Sequence, residues 1–259
     1  MKRKAKRSSS PRPSRYSVCV SGTPLNRFAC VWEDADSDLA GIIGHRIAAK
    51  TGRPVGIICM QNTVSKGGAN PDLKSWIATD CLKHAPSLME DYKDLATILP
   101  GNDYYHANAR HYVTNWKKYW SKYVPQMIAT KKVPDGVPWG SYPTLASNVT
   151  SKAAETYNVL VHPFSMCKCK GILFLTSPQM VTEDQGRNFG EQMSALANCW
   201  KSHFGNTDTH FFYTMPSRTL TEKITPPEAI QGKSTAIEIG NWSEILNGIE
   251  AAVGKVYGE

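Results

Sequence analysis

The chain has 259 residues, 41% of them hydrophobic and 20% charged. That is enough to bury a core, and no apolar run approaches the ~18 residues a membrane-spanning helix needs. The net charge of +8 is uneven: Lys2, Arg3, Lys4, Lys6, Arg7, Arg12 and Arg15 supply seven positives, so eight minus seven leaves +1 for the remainder. These figures exclude a spanning helix and speak against a broadly basic, nucleic-acid-binding body, although residues 1–15 alone carry enough charge to touch nucleic acid, an anionic membrane or a targeting receptor.

The opening "MKRKAKRSSSPRPSRY" is too polar to fold alone. It reads as a disordered basic tail over residues 1–16, followed by one α/β domain over 17–259. No apolar h-region follows the positive residues, so nothing directs export and the default location is cytoplasmic. The first strong element is "DSDLAGIIGHRIAAKTGRP". Leu39, Ile42, Ile43 and Ile47 recur at helical spacing, Asp36 or Ser37 caps the start, Gly52 suits the C′ position and Pro54 stops continuation. "VGIICM" follows as a continuous apolar run, the pattern of a strand buried on both faces.

A Gly/Asn/Pro-rich loop, "GGANPDLKSW", leads into a polar and aromatic stretch over about residues 103–142. It reads as an insertion: a solvent-facing helix, then a Pro/Gly loop through 133–140. Its Tyr, Trp and Lys residues resemble a stacking-and-charge surface for nucleic acid, whereas aromatics at helical spacing more often pack on the body of a domain. Next come a strand in "KGILFL", a helix in "RNFGEQMSALANCWKSHFG", strands in "THFFYTMP" and "STAIEIG", and a closing helix in "WSEILNGIEAAVGKVYG". Strands alternating with helices predict an α/β fold, a three-layer α/β/α sandwich with a mostly parallel sheet of the SGNH-hydrolase or flavodoxin-like kind. Ligands of such folds bind beyond the carboxyl ends of the strands, which here means the loops after Met60, Leu175, Met215 and Gly240.

In this order, "GHRIAAKTGRPVGIIC", "GGANPDLKSWI", "ETYNVLVHPFSMCKCKGILFL", "MSALANCWKSHFGNTDTHFFYTMPS" and "AIEIGNWSEILN" together resemble the sialate O-acetylesterase family of the SGNH-hydrolase superfamily. The resemblance runs from about Asp36 to Val256. It implies acyl transfer from an acetylated sugar: a serine in a "GQSNM"-like block attacks, a histidine takes its proton, and an aspartate two residues earlier orients the histidine. Backbone amides and a side-chain amide from a "QGE"-like block hold the oxyanion.

Carried over residue by residue, most of these roles fall vacant. No "GQSN"-like block is present, and Ser21 in "VSGTPLN" is the only weak stand-in for the nucleophile. The amide block falls on "FLTSP", with Thr176 for the glutamine, Ser177 for the glycine and Pro178 for the acid. Gly67 and Gly68 keep the glycine-pair loop. Glu244 stands at the aspartate position and Leu246 at the histidine position. Gly67, Gly68, Thr176, Ser177 and Glu244 are therefore the candidate pocket residues, with Leu246 marking the lost base.

The reading that follows is a catalytically silent, esterase-like domain that keeps a site for an acetylated glycan or a protein partner. The alternatives are an active carbohydrate O-acetylesterase with a displaced catalytic set, or with its serine block outside this chain, and nucleic-acid binding through residues 1–15. No cofactor is expected, since the chain has neither a phosphate-binding glycine loop nor an HExxH spacing. "CKC" at 167–169 lacks a supporting ligand pair, so no metal is expected either. The seven cysteines form no disulfide framework and read as small core residues.

Overall fold

The computed structural model describes residues 14–19, 33–34, 39–61, 72–132, 149–165, 167–204, 208–216, 224–238 and 242–257. In chain order these form β1 (Ser14–Cys19), β2 (Glu33–Asp34), α1 (Leu39–Thr51), β3 (Gly56–Gln61), α2 (Thr79–Leu82), α3 (Met89–Ala96), α4 (Asp103–Lys118), α5 (Val124–Thr130), β4 (Gly171–Phe174), α6 (Phe189–His203), β5 (His210–Thr214), β6 (Ser234–Ile237) and α7 (Trp242–Tyr257), with short 3₁₀ and π turns between them. The chain divides into two compact units, residues 1–78 with 154–259, and residues 79–153. The second contains all of the stretch read as an insertion and extends beyond it on both sides. Most of the expected tail, residues 1–13, lies outside the described residues. Strand β1 nevertheless begins at Ser14, inside the tail as read.

The first unit is α/β. Two three-stranded sheets run β2-β1-β3 and β4-β5-β6. In the first, β1 is parallel to β3 and antiparallel to β2. In the second, every pair is parallel. Among the described residues no strand pairing joins the two, where a single sheet was expected. Parallel neighbours need a crossover, and α1 supplies it between β1 and β3, as α6 does between β4 and β5.

Strand β5 is buried at all five positions, as a central parallel strand covered on both faces should be. On one face Phe212 and Ile237 join Ile43 of α1 and Ile245, Ile249 and Val253 of α7 in a single apolar cluster. Each of these α7 side chains, four residues apart on one stripe, contributes about 1.5–3 kcal/mol on leaving water. On the other face Phe174 meets Trp200 of α6 edge-on at 5.7 Å and Trp76 at 5.8 Å. Helix α1 ends where the glycine was expected: Gly52 has φ +63° and its N–H donates to the Ala48 carbonyl at 2.9 Å, the left-handed cap only glycine adopts freely. Gly190, the second residue of α6, is a glycine because nothing larger fits. A Cβ there would stand 2.7 Å from the Thr225 carbonyl oxygen and 2.8 Å from that of Pro226.

The second unit is helical. Asn102 caps α4, its Oδ1 accepting from the Tyr105 N–H at 3.0 Å while its Nδ2 donates to the carbonyls of Ala96 and Leu99. Asp94 of α3 holds the returning chain, accepting from the N–H groups of Thr150 at 2.9 Å and Ser151 at 2.7 Å. Burial opposes the charge on Asp94, but these bonds and one from the Thr150 hydroxyl outweigh it and hold the carboxyl below the usual range. Helices α4 and α5 run on through a π turn, Tyr119–Tyr123. There the Val124 N–H donates to the Tyr119 carbonyl, five residues back, and Pro125 has no N–H to continue the α pattern. No described helix is long and apolar enough to cross a membrane.

Candidate functional site

The carboxyl ends of β4, β5 and β6 lie side by side, so the residues that follow them share one edge. The chain leaves β4 through Leu175, Thr176 and Ser177 before a 3₁₀ turn, Pro178–Val181, begins. Proline at the start of that turn has no N–H to lose, and Ser177 is extended in front of it. Thr176 is turned inward and only 5% exposed. Its N–H donates to the hydroxyl of Thr214, the last residue of β5, at 2.7 Å, and Thr214 is fully buried. One residue on, the Met215 N–H donates to the Ile237 carbonyl at 3.2 Å and extends the β5–β6 pairing. The Thr176 hydroxyl itself is buried without a hydrogen-bond partner. A buried, unsatisfied hydroxyl is costly, and it is the one described feature of this edge that a bound polar group would relieve.

The candidates taken from sequence fall apart into three groups. Thr176 and Ser177 stand at this edge, while Gly67, Gly68 and Ser21 lie outside the described residues. Glu244 is exposed in the first turn of α7. Leu246, two residues later and so on another side of the helix, is half-buried against the cluster of Ile43, Phe212, Ile237, Ile245, Ile249 and Val253. The position that the family resemblance assigns to a proton acceptor therefore packs the core.

None of the segments that follow β3, β4, β5 and β6 contains a histidine. His45, His84, His106, His111 and His162 are exposed on helices or turns. His203, in the last turn of α6, shares a 2.5 Å hydrogen bond between its Nδ1 and the Tyr157 hydroxyl. His210 opens β5 at the amino end, stacked on Phe212 with ring centroids 4.4 Å apart, and its Nε2 is 2.7 Å from the Thr235 hydroxyl. Burial pushes its imidazole below the ordinary 6.5, and the positive charges of Lys201 and Lys233 add to the effect.

Four perturbed groups, His210, Lys201, Cys169 and Tyr257, gather at that amino edge. Lys201 of α6 is 3% exposed, and its ammonium donates to the carbonyls of Gln231 at 2.6 Å and Lys233 at 2.8 Å. Burial pulls its pKa down. Burial also raises the Cys169 thiol, against a lowering bond from Thr209, and raises Tyr257, whose hydroxyl donates to the Lys170 carbonyl at 2.5 Å. The burial of Lys201 has a signal in the sequence, helical spacing: Gly190, Ser194, Ala197 and Lys201 form one stripe of α6, and all four are buried. Cys167 is exposed and Cys169 half-buried, so neither is the fully buried core residue expected of them.

Chemically, the carboxyl edge offers hydroxyls and backbone dipoles without an imidazole. A threonine hydroxyl there can bind a carbonyl or a sugar hydroxyl, but no described base stands ready to activate it. Comparison of the chain with protein-family models, with curated proteins and with solved structures yields no match.

Proposed function

We propose that this protein is a sialate O-acetylesterase-like domain that has lost ester hydrolysis and keeps a binding site, for an acetylated glycan or a protein partner, at the carboxyl ends of β4–β6. In this reading the two sheets are parts of one three-layer α/β/α sandwich of the SGNH-hydrolase kind. Helices on both faces of β4–β6 support it. The observation that carries the functional half is Leu246: the family's base position is occupied by a side chain that packs the core and cannot accept a proton. Losing a general base lowers a rate by about 10²–10⁴-fold. Losing the nucleophile block as well leaves little beyond binding. The buried, unpartnered Thr176 hydroxyl supports a retained polar ligand, because a ligand carbonyl or hydroxyl would complete its hydrogen bonding.

The test is hydrolysis of a chromogenic acetyl ester by the purified chain, with O-acetylated sialic acid titrated in parallel by ligand-observed NMR. The expected outcome is no turnover above buffer, and saturable sugar binding that Thr176→Val weakens. Turnover abolished by Ser177→Ala or Glu244→Gln would overturn the silent reading.

A further inference from the structure

The helix from Asp103 to Thr130 contains no buried residue along α4, the π turn or α5. From Tyr104 onward it has no acidic residue and four basic ones, Arg110, Lys117, Lys118 and Lys122, and Lys131 and Lys132 follow its end directly, all six of them exposed. Large apolar side chains are exposed on the same helix: Val113 at 45%, Trp116 and Trp120 at 43% and Ile128 at 72%. Val113, Trp116 and Trp120 recur at spacings of three and four and so share one side. Eight further residues of regular α-helix would carry Ile128 away from that side. The wider π turn takes back roughly one residue of rotation and returns Ile128 toward Trp120.

We propose that this helix is a docking surface for an anionic lipid bilayer, lying in the interfacial plane with Val113, Trp116, Trp120 and Ile128 toward the acyl chains and the basic residues among the headgroup phosphates. An exposed apolar stripe on a helix whose only charged residues past its first position are basic is complementary to a surface that is anionic outside and apolar beneath. The indoles suit headgroup depth, with an apolar ring and one N–H donor. A single-stranded nucleic acid shares the phosphate chemistry but fits the stripe less well. Trp116 and Trp120 pack on each other at 5.9 Å and 58° rather than standing apart as open faces for bases, and the stripe continues into aliphatic Val113 and Ile128, which offer a base no stacking partner.

The test is co-sedimentation of the full chain with phosphatidylcholine vesicles with and without phosphatidylserine, with tryptophan quenching by brominated lipid as a second readout. Binding is expected only to the phosphatidylserine vesicles, with quenching. The Trp116→Ser/Trp120→Ser variant should weaken it about tenfold or more and remove most of the quenching. Each of Lys117→Gln, Lys118→Gln and Lys122→Gln should weaken it about fivefold. Circular dichroism verifies that these exposed substitutions leave the helix folded. Failure to bind either vesicle overturns the proposal, as does binding unchanged in these variants, which would assign the contact to residues 1–15 or elsewhere. Preference for oligouridylate or an acidic protein over vesicles overturns it too.

Discussion

The N–H of Thr176 donates to the hydroxyl of Thr214 at 2.7 Å and ties together the carboxyl ends of two neighbouring parallel strands, β4 and β5. The two threonines are therefore not equivalent. Thr214→Val keeps the shape but strands a buried N–H, and should cost about 1–3 kcal/mol, read as a lower urea midpoint at unchanged slope. Thr176→Val removes a hydroxyl that has no partner within the protein and should leave stability unchanged or raise it by up to about 1 kcal/mol. Equal losses in the two variants would contradict this asymmetry.

His210 should make the first unit sensitive to mild acid. Its folded pKa lies below the ordinary 6.5, so between the two values the unfolded chain binds the proton and the folded protein does not. The stabilisation is complete above 6.5 and is lost as pH falls through 6.5 toward the folded value. Denaturation midpoints measured at intervals from neutral pH downward should show a decline that His210→Asn flattens. A decline of the same size in that variant would assign it to other groups.

Leu246→His should not create an esterase. The side chain lies against the α1–α7 cluster, so the new ring would exchange apolar packing for a half-buried polar group, at about 1–3 kcal/mol. Thermal unfolding should show the loss, while acetyl-ester hydrolysis stays at background.

Gly190→Ala should cost about 1–3 kcal/mol. The obstacles at 2.7 and 2.8 Å are backbone oxygens of Thr225 and Pro226, which cannot rotate aside as a side chain would. Gly254→Ala provides the contrast: its nearest neighbour, at 3.0 Å, is the flexible Lys50 side chain, so its melting temperature should change little.

Much of the first unit is legible in the sequence because its elements are strongly patterned. The stripe Leu39, Ile43 and Ile47 and the run "HFFYT" each allow one reading, and the helix and strand are where periodicity puts them. Strand β1 was hidden because "SRYSVC" begins in a basic segment and is too polar to stand out. The π turn depends on the missing N–H of Pro125, which proline content alone signals as a break rather than a re-phasing. Thr176 and Leu246 are singled out in the sequence only through the family resemblance. The tie from the Thr176 N–H to Thr214, 38 residues away in the chain, and the packing of Leu246 against other elements are encoded by no local pattern.

The contact between α1 and α7 joins side chains about two hundred positions apart: Arg46 bonds Asn247 and Glu250 across separations of 201 and 204 residues. Every described strand is synthesised before α7 leaves the ribosome. Until then Ile43 and Phe212 lack the aliphatic cover that Ile245, Ile249 and Val253 provide. The nascent chain thus carries a sticky apolar face from the synthesis of β5 until α7 emerges, an interval in which a holdase chaperone can cover it.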